Sequence, residues 1–394
     1  MIAQLLSEEA QAFIQTHEGD DVASLMLQGK KWPKLPLALL AAQITSRQKA
    51  KTKLPEWYAA PKIIFPTGVP MEQCTSQEVA QHKSSFIQGH ELLDLTGGSG
   101  IDTYYLSRNF QQAYYVEQNP ELAELARHNF AVLGAKHIGV MSGRAEEYIK
   151  NLKDFPDVVY IDPARRDEAN RKMHGFADCS PDVVNLVPTL LEKAQHIWIK
   201  SSPLLDISLG IQQLKKVEDV YVLSWENECK EVLFHISPQG NEMPSVHALN
   251  WRKGEEERLS FSIEEEKACE VPMGNPERYL YEPNAAVLKA GAFKTIGARY
   301  QLDKLHQHTH LYTSAHLLMD FPGRVFEVLD KVKLNRKALE AIFPTYKAHV
   351  MVRNYPLSVA DIRKKTGLKE GGNDYLIGCT SLQGPEVYHT LRLK

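Results

Sequence analysis

The sequence predicts an α/β chain: a seven-stranded, mostly parallel sheet with helices on both faces, an N-terminal helical region and a C-terminal α+β region. Three observations carry that prediction. Residues 92–100, LLDLTGGSG, run an apolar strand into a glycine turn, with Asp94 at the strand's end. A second strand, 113–116, stops at Glu117, and a third, 158–161, stops at Asp162-Pro163-Ala164-Arg165. Around them helix and strand patterns alternate, which demands parallel pairing and places a ligand site along the carboxyl edge of the sheet.

At 394 residues the chain has room for two or three domains. We divide it into a helical region over 1–70, a sheet domain over 71–238 and an α+β region over 239–394, with room for two units of structure in the last. Ser7-Glu8-Glu9 resembles a helix start, followed by Ala10, Phe13 and Ile14 at helical spacing. A further helix opens at 37–44 and carries Arg47, Lys49, Lys51 and Lys53 toward its end, where cations suit the helix dipole. Residues 62–65 read as a strand, and Thr75-Ser76-Gln77-Glu78 as a capping box with Thr75 at the N-cap. Strands are then expected at 91–95, 113–117, 137–141, 157–162 and 195–200, alternating with helices 101–110, 119–133, 144–151, 181–194 and 207–214. The helix at 181–194 starts at Ser180-Pro181. Strands 219–226 and 230–236 are so close in sequence that they form an antiparallel hairpin. Further on, strands are expected at 246–251, 258–264, 347–352 and 375–378, and short helices at 284–290 and 337–342.

Apolar residues at 43% and charged residues at 24% are ordinary for a globular protein. The net charge of −3 hides a basic stretch, 331–394, with 12 Lys/Arg against 5 Asp/Glu, which attracts polyanions. The acidic runs Glu255–Glu257 and Glu264–Glu266 read as solvated surface. The five cysteines are scattered and form no C-x-x-C pair, which disfavours a disulfide framework and a structural zinc site. His306-Gln307-His308-Thr309-His310 alternates like a strand but has no acid or thiol near in sequence, so no metal is expected. The N-terminus has no cationic signal-like region, and no apolar run approaches the roughly 18 residues of a membrane span. The expectation is a cytoplasmic protein.

Read as a dinucleotide fingerprint, Gly98-x-Gly100-x-x-Thr103 lacks its third glycine, and the terminal hairpin also argues against a dinucleotide. A ligand with an amino-acid end, a ribose and a base fits better. Asp94 would bind its ammonium, directly or through water, and the glycine turn its carboxylate and sulfur side; Glu117 would accept both ribose hydroxyls. On these residues, 75–236 resembles the class I S-adenosylmethionine-dependent methyltransferases, with motif I at Asp94–Gly100, the acidic second motif at Glu117 and motif IV at Asp162–Arg165. Ile101-Asp102-Thr103 is similar to trimethylguanosine synthase-type RNA methyltransferases. DLTGGSGIDT, IDPARRD and DCSPD, with the long C-terminal part, resemble bacterial RNA methyltransferases that carry a THUMP-like domain. The resemblance implies a Rossmann-like sheet, S-adenosylmethionine as cofactor, and rRNA or tRNA as partner. It implies a cofactor set of Asp94, Thr96, Gly98, Gly100, Asp102, Glu117 and Glu146. One departure stands out: the acid that usually lies beside the adenine is replaced in Ser142-Gly143-Arg144-Ala145, so that contact passes to Glu146, a backbone carbonyl or water.

Methyl transfer from a sulfonium is an in-line displacement, so the enzyme mainly positions the acceptor and deals with its departing proton. Asp162 and the Pro163 carbonyl match the two acceptors that orient an NH₂ group. Ala164 and Arg165 replace the usual proline and aromatic; Arg165 would stack by its guanidinium plane or hold a phosphate, with Arg166, Arg171 and Lys172 extending a basic loop. Lys200 and Asp206 flank Ser201-Ser202-Pro203 and either orient substrate or pair with each other; Lys83 is a weaker candidate. Cys179 reads as a loop or cap thiol rather than a nucleophile, so covalent C5-pyrimidine chemistry is not expected. The leading expectation is methylation of a nitrogen of an RNA base. The backbone would be gripped by Lys331, Lys333, Arg336, Lys337, Lys347, Arg353, Arg363–Lys365 and Lys369, with Tyr346 and Tyr355 available for stacking. The alternatives are methylation of a protein side chain or small molecule, with the C-terminal part as a lid or dimer surface, and a non-catalytic module that keeps the cofactor pocket. The sequence leaves the oligomeric state open.

Overall fold

Strands buried on both faces read as near-continuous apolar runs, and those of the sheet domain do. The computed structural model describes residues 1–152, 156–165 and 175–394. They form two compact units, one of Met1–Val217 with Leu233–Gly240 and one of Glu218–Val232 with Asn241–Lys394.

In the first unit β1 (Glu91–Asp94), β2 (Gln112–Glu117), β3 (Ile138–Ser142) and β4 (Val158–Ile161) pair in parallel in the order β3-β2-β1-β4. Leu93 stands opposite Tyr114 on one side and Val159 on the other. A two-residue antiparallel bridge joins β5 (Ala164–Arg165) to β6 (Cys179–Ser180). β7 (His196–Ser201) continues the sheet in parallel beside β4. The chain runs outward from β1 to β3 on one side and resumes at β4 on the other. The crevice between them, above the ends of β1 and β4, is the switch point where such sheets bind ligands.

The flanking pieces depart from expectation in three places. Residues 62–65 form no strand. Instead the backbone of Ile64 exchanges hydrogen bonds with the side-chain amide of Asn129, and Phe65 does the same with Gln43. Two amide side chains thus do the work of a neighbouring strand. The helix Gln77–Ser84 is capped by Ser76, not Thr75, and the helix Val183–Leu191 by Asp182, not Ser180. In both, the capping side chain is the one whose oxygen reaches the N–H three residues on.

Most of β8 (Val217–Trp225) and the first half of β9 (Glu228–Ile236) belong to the second unit; the two strands are neighbours, joined through Glu226 and Asn227. Both joining residues have positive φ, the geometry of a two-residue hairpin turn. β10 (Ser245–Arg252) lies parallel to β8 and antiparallel to β11 (Glu255–Ser262). A separate sheet follows in the order β13-β14-β12-β15-β18-β17-β16. Its strands are β12 (Tyr279–Pro283), β13 (Asp303–His306), β14 (Thr309–Ser314), β15 (Gly323–Lys331), β16 (His349–Arg353), β17 (Asp374–Ser381) and β18 (Gly384–Arg392). The histidine run is therefore a hairpin turning at Gln307-His308, not one strand.

The acidic runs are not merely solvated surface. Glu257 accepts from Asn250 and Asn284, and Glu266 accepts the backbone N–H groups of Phe293, Lys294 and Thr295. Tyr346 and Tyr355 pack at the edge of the Leu339–Leu376 core cluster and are half-buried rather than presented to solvent. Among the described residues, no helix is long and apolar enough to cross a membrane, and no group of His, Cys, Asp and Glu could hold a metal ion.

Candidate active site

The glycine turn is laid against an aromatic ring. A Cβ on Gly97 would fall 2.1 Å from the Tyr115 ring of β2, so no side chain fits there. Tyr115 donates its hydroxyl to the Gly98 carbonyl at 2.8 Å, and the Gly97 N–H bonds the Val116 carbonyl at 2.9 Å. Gly100, at φ +79°, closes the turn and starts the helix Ile101–Ser107. Glu117 accepts the Gly98 N–H and the Asn119 N–H, each at 2.8 Å, one on each oxygen. Its carboxylate is fixed, and each oxygen keeps a lone pair for a ligand.

Asp94 is 1% exposed. One oxygen accepts the Thr96 N–H at 3.0 Å and the other the Thr103 hydroxyl at 2.5 Å. Burial pushes its pKa up to about 7, against the pull of those two bonds and with added repulsion from Asp102 and Asp162. Among the described residues no cation pairs with it. A ligand cation arriving here would restore the anion.

Asp102, eight residues on, meets the opposite fate. It lies 2.8 Å from the ammonium of Lys83 and 3.1 Å from that of Lys200, and it accepts hydrogen bonds from the hydroxyls of Thr75 and Tyr160, each at 3.0 Å. Burial opposes its ionisation, yet Lys200 and Lys83 hold its carboxyl well below the usual range. The side chain placed with the cofactor set by sequence is thus the centre of an internal charge network. Lys200 also donates to Asp162 at 2.6 Å and to Thr75 at 3.0 Å, and Lys83 donates to Tyr160 at 3.0 Å. The backbone N–H of Asp162 donates to Thr96 Oγ1 at 2.6 Å, which ties the end of β4 to the glycine turn.

Sequence reasoning misses Thr75, Thr103 and Tyr160 in these roles. Thr75 reads as a cap and Tyr160 as one more apolar strand residue. A signal does exist for Lys83: it follows Val79 and Ala80 at helical spacing, on the buried face of its helix.

The other expected residues are dispersed. Asp206 caps the helix Ile207–Leu214 through the Leu209 N–H at 2.8 Å, so its carboxylate serves that helix rather than Lys200. Glu146 sits in the first turn of the helix Ala145–Asn151, 3.6 Å from Arg144. Pro163 and Lys200 line a pocket of about 40 Å³ together with Phe176, Cys179, Ser202 and Leu205. Cys179 is buried, and the register of β5 and β6 sets it opposite Arg165. Arg166, Arg171 and Lys172 lie outside the described residues.

In the second unit several basic residues are already paired with acids: Lys331 with Glu386, Arg336 with Glu340, Arg353 with Glu282 and Arg363 with Glu370. Lys333, Lys337, Lys347, Lys364, Lys365 and Lys369 are exposed, and among the described residues none of them forms an ion pair.

Three family models match parts of the chain: the conserved hypothetical protein 95 model over 72–176, a ferredoxin-like domain over 279–322 and a THUMP domain-like model over 323–391. The crystal structure of a protein from Porphyromonas gingivalis W83, assigned as a methyltransferase, superposes with a TM-score of 0.88 at 32% identity, covering 98% of this chain and 97% of that one. An uncharacterized S-adenosylmethionine-dependent methyltransferase of Mycobacterium tuberculosis H37Rv is 24% identical over 76% of this chain and 80% of its own. An uncharacterized RNA methyltransferase of Clostridium acetobutylicum is 31% identical over 26% of this chain and 23% of its own.

Proposed function

Because the chain belongs to the S-adenosylmethionine-dependent methyltransferases, in the family of the Porphyromonas protein, it is an enzyme with that cofactor, and we propose that it methylates a nitrogen of an RNA nucleobase by direct displacement. The residues at the sheet edge fit the cofactor. Asp94 is a buried carboxyl whose pKa burial has raised and which a ligand ammonium would relieve. Glu117 is a fixed carboxylate at the height of the turn, suited to a ribose diol. Thr96, Gly98 and Gly100 form the wall against the amino-acid end, and Glu146 is the acid left for the adenine. Bound there, the cofactor supplies a methyl group made electrophilic by its sulfonium.

The chain's own part is to place and orient the acceptor. Asp162 and the Pro163 carbonyl accept the two hydrogens of an amino group and so aim the nitrogen lone pair, and the carboxylate offers the departing proton a path to water. The observation that carries this reading is the 2.6 Å bond from the Asp162 N–H to Thr96 Oγ1, which ties the acceptor-binding residue directly to the glycine turn. RNA as the acceptor draws support from the THUMP domain-like match, from the RNA methyltransferase names of partial relatives, and from six exposed lysines of the second unit suited to phosphates.

The test is nucleoside mass spectrometry of RNA from cells with and without the protein, alongside transfer of labelled methyl to bulk RNA and to protein fractions. A methylated base that vanishes with the protein supports the reading; label entering protein alone refutes it.

A further inference from the structure

Lys200 is bound on three sides at the reaction end of the sheet. Its ammonium donates to Asp162 Oδ2 at 2.6 Å, Thr75 Oγ1 at 3.0 Å and Asp102 Oδ2 at 3.1 Å. An ammonium has three N–H groups, and among the described residues three acceptors stand around it. Its side chain is 12% exposed, Asp102 11% and Lys83 none, whereas Asp162 remains 39% exposed. The exposed carboxylate thus rests on a buried foundation. Two lysines and two aspartates balance in charge, and Tyr160 joins the far end by accepting from Lys83 and donating to Asp102.

We propose that Lys200 is a positioning residue for methyl transfer: it clamps one oxygen of Asp162, fixes the plane of that carboxylate, and leaves only the other oxygen to the acceptor amine. The inference rests on the methyltransferase reading of Asp162. The physical reason is geometric. A carboxylate free to turn about χ2 presents either oxygen in many directions. One pinned on Oδ2 to a nearly buried ammonium presents Oδ1 along a single line. Lys83 answers a separate need. Without it, two aspartates would surround one lysine, and Asp102 would draw Lys200 away from Asp162. A lysine kept only for stability has little reason to be here, because burying paired charges gains less than packing apolar groups of the same volume. The same arrangement removes Lys200 from the residues that touch substrate, since its donors are already committed.

The experiment compares the full-length protein with Lys200→Met, Lys200→Arg and Asp102→Asn. Labelled S-adenosylmethionine and bulk RNA from cells lacking the protein serve as substrates, S-adenosylhomocysteine affinity is measured by calorimetry, and the mobility of the Asp162 carboxylate is followed by ¹³C NMR relaxation. We expect Lys200→Met to lower kcat about a hundredfold, with KM for RNA and affinity for S-adenosylhomocysteine within about threefold of the parent. We expect its Asp162 carboxylate to be more mobile than in the parent, because the ammonium that pins Oδ2 is gone. Lys200→Arg restores at least part of kcat, and Asp102→Asn, which loosens the anchor, lowers kcat to a smaller extent. Should Lys200→Met fail to fold, Asp102→Asn decides. Unchanged turnover with only a lower melting temperature would make Lys200 a brace. A raised KM at constant kcat would make it a substrate contact. An Asp162 carboxylate whose mobility does not change would show the clamp to be inert. Each of these overturns the proposal. If the parent transfers nothing to RNA, that substrate reading fails, and the carboxylate mobility still decides the clamp.

Discussion

The two units handle charge in opposite ways. At the sheet edge of the first, Lys83, Lys200 and Asp102 are almost wholly withdrawn from water and each is matched by a partner within 3.1 Å. In the second, Lys333, Lys337, Lys347, Lys364, Lys365 and Lys369 stand in solvent and form no ion pair among the described residues. Withdrawing an ion from water costs several kcal/mol even after relaxation, and what it secures is a fixed geometry. A solvated lysine costs almost nothing and fixes nothing, yet it draws in a polyanion with a strength that salt erodes. The first arrangement suits a place where atoms must be aimed, the second a place where a long anionic chain is held.

The aiming of atoms at the sheet edge depends most on Asp162. Asp162→Ala should lower transfer by about 10²- to 10⁴-fold while leaving calorimetric binding of S-adenosylhomocysteine nearly unchanged; transfer that persists at the parental rate would remove Asp162 from the chemistry.

A smaller effect, a few kcal/mol at most, belongs to Asp94. Its pKa in the folded chain, about 7, lies above the ordinary value of 3.8, so between these values the folded chain holds a proton that the unfolded chain has released. The stability from this group is therefore complete below about pH 4 and is lost as pH rises through 7, a slope that Asp94→Asn should abolish in urea titrations. Binding of the cationic cofactor should run the other way, strengthening as pH rises toward 7. By contrast Asp102, held ionised by its lysines, adds no slope in that window. Its contribution falls away only in strong acid, as pH drops through its depressed pKa.

Gly97→Ala ranks next. The added carbon meets the Tyr115 ring, and overpacking of this kind costs about 1–3 kcal/mol, measured as a lower melting temperature together with weakened cofactor affinity. The smallest effect per residue lies in the second unit. Replacing the six exposed lysines by alanine should leave unfolding almost untouched. It should also flatten the dependence of RNA affinity on salt, by about 0.7 in logarithmic slope for each single-strand phosphate that is no longer neutralised. An unaltered slope would locate the polyanion grip elsewhere.

What can be read from the chain is what lies close in sequence. Asp94, Glu117 and Asp162 announce themselves because each ends an apolar run, and the ends of parallel strands are where such a sheet does its work. The network behind them is silent. Lys200 and Asp102 are 98 residues apart, and Thr75 and Lys200 are 125 apart, so only the folded sheet brings them together. Thr75 is hidden further by its neighbour Ser76, since either can serve as a cap. In the second unit, β12 conceals a buried acid: Glu282 is 1% exposed beneath Arg324 and Arg353, which are distant in sequence. Strand β15 ends in exposed, charged residues that mask its apolar half. At 62–65 an extended backbone is legible, but its partners are amide side chains, which no pattern of alternation reveals.

The seating of Gly97 on Tyr115 imposes a bookkeeping rule on descent. Wherever a relative carries a bulkier residue at the position of Gly97, the ring opposite must shrink to match, and the hydroxyl that pins the Gly98 carbonyl goes with it. The two sites are then free to drift only as a pair, and a variant altered at one of them alone should be rare among functional sequences.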